Sequence, residues 1–470
     1  MTSHSATRHL HLAGLAGVGL YAAAAVFFRV DAASGVREAF RWVLVLGLLA
    51  AFAVAYRAVR RLPESLRGRR IVAGYAVALA VTAAVVPAFQ SNDLYIYVNI
   101  GWQQAGYGVN PYQTLLYEMP TGLTDPMFWQ EWQFVPCTYG FLFALESWAA
   151  LAISGPDHGL AVFVLKAVAV IGFLLLSGMI WLGGRSLGRE YPTRHALLVA
   201  WNPLMLLHGV SNAHNDVLFA LGVAVAVVAF LRGWWLVVFP ALVAAALVKY
   251  LSVLAVPFVL LAAVRRFGWT RTAVSCLAGL LLAVACWWPY RDGFDASYFE
   301  RTGKNLSATD KSLATIALWP VEVLKLRGGV EQILPSIVKA AGWFAFAVVV
   351  GAAFVRRVRD GNGGGEALAR DCVLVLLAAI LASSKYHSWY LLMLLPLAVW
   401  LPAASRLRQA ALALGVANLL SFTFVYHSHL LNAVLILLLP LVHVWRRNPM
   451  AQSPRSDFRL QLPDSTRRRS

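Results

Sequence analysis

The stretch "YRAVRRLPESLRGRR", residues 56–70, carries six arginines and one glutamate between two apolar runs. Runs of that kind recur along the whole chain, many near the ~20 residues that carry a helix across a bilayer. An arginine-rich loop between two such runs stays on the cytoplasmic side of a membrane. The loop therefore sets the topology around it. The N-terminus is inside, helices are expected near 10–28, 40–58 and 71–89, and the third emerges on the outer face.

Composition agrees. The 470 residues are 60% hydrophobic and only 13% charged, too few charges to disperse a soluble protein of this length. The net charge of +18 would point to nucleic acid in a soluble chain. Here the arginines sit in short loops between apolar runs, a bias that membrane orientation explains, so no nucleic-acid partner is expected. Cys137, Cys276, Cys286 and Cys372 are scattered, without ligand spacing, and read as small core residues rather than disulfides or a zinc site. The first apolar run reads as a retained helix, not a cleaved signal.

The later basic segments 265–266, 356–370, 406–408 and 446–449 belong inside. The turns between them, 211–216, 248–250, 291–312, 383–390 and 426–429, then face outward with Asp93. One region breaks the alternation. Residues 136–154 and 160–183 look like two helices, yet the basic loop 184–195 requires an odd number of crossings. Either 136–154 lies partly in the interface or the loop disobeys the rule. The segment 312–325 is short and holds Pro320, so it is expected as a surface-lying helix. Glu146 and Lys166, inside apolar runs, read as a buried or snorkelling pair. The expected fold class is all-α, a polytopic transmembrane bundle of about 12–15 helices with extracytoplasmic loops forming the active site. Residues 1–70 would supply two extra helices and the basic loop. Residues 71–449 would form the catalytic domain, with a first outer loop at about 90–135, and 450–470 a disordered basic cytoplasmic tail.

The polar clusters concentrate on the outer side. In "QSNDLYIYVNIGWQQAGYGVNPYQ" (90–113) there is no lysine or arginine. A lone acid at a membrane rim is most often merely solvated. Asp93, however, sits directly at a helix exit and is followed by Tyr95, Tyr97, Asn99, Trp102 and Gln103, which can hydrogen-bond to or stack on a sugar. Asn110 and Tyr112 lie in a Gly and Asn-Pro turn that would fix the segment. In "WNPLMLLHGVSNAHNDVLFA" (201–220), His208, Asn212, His214, Asn215 and Asp216 cluster where a plain turn would need only Gly or Asn. His214 and Asp216 lack an obvious third ligand, so no cofactor is expected and a divalent metal is not favoured. Lys249 lies between apolar runs, where snorkelling is the plain reading; "SSKYHSWY" (383–390) adds Lys385, His387 and Tyr390, and the 291–312 loop adds Arg291, Arg301 and Lys304. Basic side chains converging at lipid depth suit a phosphate carried on a lipid.

In order, "SNDLYIY…GYGVNPY", "WNPL…HGVSNAHND", "ALVKYLSVLAVPFVLL" and "KYHSWYLLMLLPLA" resemble the polyprenol-phosphate-mannose-dependent mannosyltransferases of actinobacteria and their relatives, members of the GT-C superfamily. The resemblance runs from about residue 71 to 402. It implies a multi-helix enzyme of GT-C type with its site at the extracytoplasmic face. The family's acidic residue in the first large outer loop matches Asp93, and its Asn-His-Asn-Asp-like turn matches Asn212 to Asp216, spelled "NAHND". The chain departs from the pattern in having two helices before that loop and no evident large C-terminal soluble domain.

The chemistry fits these residues on its own terms. Transfer from a lipid-phosphate sugar needs one base for the acceptor hydroxyl and positive charge or donors for the departing phosphate. A glycoside hydrolase would instead show paired carboxylates. The expected function is inverting transfer of a hexose, mannose by the resemblance, from a polyprenyl-phosphate sugar to a cell-envelope glycolipid or glycan. Asp93 is the expected base. Lys249, Lys385, His387 and Arg301 are expected at the donor phosphate. Tyr95, Tyr97, Asn99, Asn110, Tyr112, His208, Asn212, His214, Asn215 and Asp216 are expected to hold sugar or acceptor. Membrane lipids are the remaining partners, and the expected location is the plasma or inner membrane with both termini cytoplasmic. The alternatives are a lipid-linked-sugar flippase or other transporter, which would place polar groups near the midplane, or a GT-C enzyme for another sugar.

Overall fold

The computed structural model describes residues 3–121, 124–294, 296–306, 309–324, 330–361, 364–421 and 429–446. Among these there is no β-strand; one isolated bridge joins Asp310 to Lys385. The chain is a multi-pass helical membrane protein. Helices α1 (Ser3–Phe27) and α2 (Ser34–Val59) pack together, and α1 also packs on α3 (Leu66–Val85). Ser65 caps α3 by accepting from the Gly68 amide at 3.1 Å. Pro87 ends it by forcing Val86 into the extended region.

The short α4 (Asp93–Ala105) and α5 (Phe141–Ser154) lean on each other, with a long loop between them. Gly101 permits this: a Cβ there would lie 2.3 Å from the Ser147 carbonyl oxygen. Then come α6 (His158–Ser186), α7 (Pro192–Ala200), α8 (Pro203–Leu206) with a π-helical turn to Ser211, and α9 (Asp216–Arg232). Next are α10 (Val238–Val248), α11 (Val256–Phe267), α12 (Trp269–Trp287) and α13 (Ala296–Leu306). The chain continues through α14 (Leu313–Val323), α15 (Val330–Asp360), α16 (Gly365–Ala382), α17 (Leu391–Ala398), α18 (Arg406–Ser421), α19 (His429–Ala433) and α20 (Leu439–Arg446).

The bundle has two chemically distinct ends. At one, Thr193 donates its amide to Glu64 at 3.1 Å and Arg194 reaches the Leu62 carbonyl. Arg189 pairs with Glu366 and bonds the Trp400 carbonyl, Arg265 bonds the Arg357 carbonyl, and Arg266 bonds the Leu231 carbonyl. The basic loops assigned to one side from sequence thus lie together, apart from the 446–449 segment, most of which is outside the described residues. At the other end the Phe89 amide donates to Asn212, Lys249 meets Asp216, and residues 384–386 pair with Asp310.

These contacts resolve the broken alternation. Lys166, near the start of α6, donates to the carbonyls of Ala84 and Val86 at the far end of α3, while Thr193 and Arg194 reach back to 62–64. So α6 runs antiparallel to α3 from end to end, and the loop 184–195 sits beside 56–70. Both flanks of α5 stay at the Asp93 end: the Gly140 amide bonds the Val248 carbonyl, and the His158 ring stacks on Tyr95. Lys166 is not the partner of Glu146. It caps carbonyls that the end of α3 leaves without helical donors, where a cation also meets the negative end of the dipole.

Eight helices among the described residues are long and apolar enough to cross, or nine with the pair Pro203–Ser211 and Asp216–Arg232, which bends by 115°. The sequence arithmetic, at ~20 residues per crossing, gives about 12–15 helices. Three further apolar helices are shorter: Phe141–Ser154, Trp235–Val248 and Ser388–Ala398. At eleven residues and ~17 Å, α14 is also too short to span.

Candidate active site

Asp93 is the first residue of α4, where the positive end of the helix favours a carboxylate. Ser91 accepts its backbone amide at 3.2 Å. The turn that faces it comes from a distorted span. Pro203 opens α8, the π turn Leu207–Ser211 follows, and Ala213 adopts a left-handed φ of 51° before α9 starts. This geometry brings His214 Nδ1 within 3.3 Å of Asp93 Oδ2 and lays the His214 ring on Trp389, centroids 4.4 Å apart. The His387 ring also stacks on Trp389 at 4.4 Å. Tyr139 donates its hydroxyl to Asp93 at 3.4 Å.

Lys249 ends α10 in an extended conformation. It donates to Asp216 at 2.8 Å, with its ammonium 5.1 Å from the centre of the Tyr390 ring. Asp216 is completely buried at the start of α9. The strand-like segment before α5 is tied to the same place. The Gly140 amide bonds the Val248 carbonyl, and a Cβ on Gly140 would lie 2.2 Å from the Leu247 oxygen.

These groups surround one cavity of about 320 Å³, whose wall includes Asp93, Glu131, Trp132, Lys249, Lys385 and His387. Burial alone would raise the Asp93 pKa. The His214 ring, Lys249 and the Ser91 hydroxyl outweigh it and hold the carboxyl at about 2. Burial pushes His387 down to about 4, despite the opposing pull of Asp310 and Asp93. His387 is therefore neutral at ordinary pH, and its ring carries an N–H rather than a charge. Burial also lowers Lys385, with Asp310 opposing and Lys339 assisting.

The structure sorts the sequence candidates by position. Asp93, Asn99, Lys249, Lys385 and His387 line the cavity. Asn99 spends its amide on the loop, donating to the Trp129 carbonyl at 2.7 Å and accepting the Trp129 amide at 2.8 Å. His214 and Asp216 stand behind Asp93 and Lys249. Buried His208 lies 5.9 Å from the His214 ring, and Tyr97 accepts the Asn215 amide at 3.5 Å. Asn212 is a latch: it accepts from Phe89 and donates to Gln90. Tyr95 stacks on Trp129, Asn110 accepts the Tyr112 amide, and Tyr112 donates to the Tyr139 carbonyl, all away from the cavity wall. Arg301 pairs with Glu118 at 3.4 Å and is likewise outside the wall.

Sequence reasoning missed Glu131, Trp132 and Tyr139. The available signal was "WQEWQ" (129–133), two indoles around a carboxylate in an outer loop with no apolar periodicity. Backbone strain marks the same place. The non-glycine residues with positive φ among those described are Trp132, Ala213 and Lys311. Trp132 lines the cavity, Ala213 sets His214, and Lys311 follows the Asp310 that holds the Lys385 segment. Such outliers persist where the surroundings over-determine them, typically at functional sites.

Residues 10–265, more than half of the chain, match the family model described as alpha-(1->6)-mannopyranosyltransferase, N-terminal domain. The match contains Asp93, the 129–139 loop, the 211–216 turn and Lys249; Lys385 and His387 lie beyond it. No curated protein matches the sequence.

Proposed function

This chain belongs to the alpha-(1->6)-mannopyranosyltransferase family, and from that premise we propose that it moves mannose from a polyprenyl-phosphate donor to a glycan or glycolipid acceptor, with Asp93 as general base. The observation that carries this reading is the division of charge around one cavity. The Asp93 carboxylate, held by His214 and Tyr139, opens onto the space that Lys249 and Lys385 also border. The acceptor hydroxyl attacks the anomeric carbon as the bond from that carbon to the phosphate oxygen breaks. Asp93 takes the hydroxyl proton, and polyprenyl phosphate leaves with the bonding pair. One displacement inverts the centre, so an α product requires a β-linked donor. With its pKa near 2, Asp93 is a weak base. It accepts the proton late, once the forming bond has made the hydroxyl acidic. The lysine ammonium groups and the neutral His387 N–H meet the phosphate oxygens. Arg301 enters this reading only as the partner that fixes the Glu118 segment. The Asp93 end is the extracytoplasmic one, by the placement of the arginines at the other.

The test uses purified protein in nanodiscs with polyprenyl-phosphate mannose and an α-linked oligomannoside. Asp93→Asn is expected to lower transfer by about 10²–10⁴-fold with donor binding retained, the usual contribution of a general base. Glu131→Gln is the companion variant, because Glu131 is the other carboxylate on the wall. A dead Glu131→Gln beside an active Asp93→Asn would move the base to Glu131.

A further inference from the structure

The loop 129–135 is pinned at several points. Asn99 clamps Trp129 in both directions, Asn92 donates to both oxygens of Glu131 at 3.0 and 2.9 Å, the Tyr117 amide bonds the Gln133 carbonyl, and the Val135 amide bonds the Trp132 carbonyl. The other aromatic rings of this region have found ring partners: Phe128 with Tyr107, Trp129 with Tyr95, Phe134 with Tyr117, and Tyr139 with Tyr97. Trp132 has none among the described residues. Its backbone is held at a φ of 63°, which costs free energy for any side chain but glycine, and its ring lines the cavity while remaining 48% exposed. Ordinary folding gains do not explain an indole kept strained, pinned and unstacked at the mouth of a cavity.

Resting on the transfer reading of this cavity, we propose that Trp132 and Glu131 form an acceptor subsite, in which the indole face stacks on a hexose ring of an oligosaccharide and the Glu131 carboxylate accepts its hydroxyls. Charge decides between donor and acceptor. The cations of the cavity come from 249 and 383–390, and a carboxylate at 131 would repel the donor phosphate, whereas a neutral glycan meets no such penalty. Exposure decides which ring is held. The Asp93 side chain is 19% exposed, deeper than Trp132, so the attacking sugar reaches Asp93 and the ring next to it rests on Trp132. A carboxylate beside the indole also argues against a lipid tail as occupant.

The experiment is isothermal titration of the full-length protein in nanodiscs with α-linked mannotriose and with methyl α-mannoside, without donor. The wild type is expected to bind mannotriose about tenfold more tightly, the scale of one aromatic stacking contact. Trp132→Ala and Trp132→Gly should abolish that preference, and Trp132→Phe should keep part of it. The glycine variant removes the ring and also relieves the positive φ, so a loss caused by misfolding would appear in the alanine variant and not in glycine. In the transfer assay, the acceptor KM of Trp132→Gly should rise about tenfold with a donor KM within about twofold of wild type. Equal binding of the two ligands by the wild type, or a preference that survives both ring deletions, overturns the subsite. Ring-dependent binding of mannotriose without any transfer from polyprenyl-phosphate mannose would leave the subsite standing and overturn the transfer reading instead.

Discussion

Asp93 and His387 titrate far from where their residue types ordinarily do, and in ways that separate their effects. Asp93 stays ionised down to about pH 2, and His387 stays neutral down to about pH 4. The rate should therefore show no limb from either group between about pH 5 and 8. An acid limb near 6.5 that disappears in His387→Asn would show that His387 binds phosphate as a cation. Stability gives the complementary reading. The folded pKa of His387 lies below its unfolded value of ~6.5, so the unfolded chain binds more protons between about pH 4 and 6.5 and stability falls as pH drops through that window. Thermal unfolding in detergent should show this slope weakened in His387→Asn. Asp93 contributes in a lower window, below its unfolded value of ~3.9, where protonation removes its stabilisation. At this scale the sequence marked residues that the structure brings together, but not their orientation. Asp93, His214 and Lys249 stood out as charges where apolar runs end. Nothing in one dimension said that Tyr95 would stack on Trp129 or that Asn212 would be consumed by Phe89 and Gln90, because those choices depend on which side of α4 or of the turn meets a neighbour.

Helices α9 and α10 pack together and are locked at one end by the ion pair of Asp216 and Lys249. Removing one partner of a buried pair leaves the other charge uncompensated. Asp216→Ala should thus destabilise the protein by about 3 kcal/mol, somewhat less if Lys249 turns toward the cavity, as measured by denaturant unfolding in mixed micelles. The double variant Asp216→Leu with Lys249→Met should recover most of that loss while remaining inactive. Gly101 is the corresponding point for α4 and α5. Gly101→Leu must push α4 from α5 and displace Asp93 with it, so transfer should drop by at least tenfold even if the protein stays folded. The elements most visible in the sequence were the long ones: α1, α2, α3 and α6 follow from apolar length and arginine flanks. The short ones were not, because α5 is as apolar as a crossing helix and only its place beside α4 keeps it at one end of the bundle.

Across the whole molecule, arginines gather at one end and the site at the other, and this polarity predicts accessibility. Cysteines introduced at Ser65 and Glu190 should behave alike toward an impermeant thiol reagent in intact cells, both protected, while one at Phe134 should react. Labelling at Glu190 together with Phe134 would mean that α5 crosses after all. The pair of Asp216 and Lys249 has a further consequence, for the order in which the chain is made. The two residues are 33 positions apart and close the open end of a hairpin whose bend is Gly233, at a left-handed φ of 78°. Until Lys249 has left the ribosome, Asp216 is an unmatched acid at the head of an apolar-rich helix of seventeen residues, and lipid insertion of α9 alone is disfavoured. Once both ends have emerged, the hairpin neutralises itself and can enter the bilayer as one unit. Nascent chains too short to bring Lys249 out of the ribosome should therefore leave a cysteine introduced in α9 open to a water-borne thiol reagent, and chains long enough to release Lys249 should protect it.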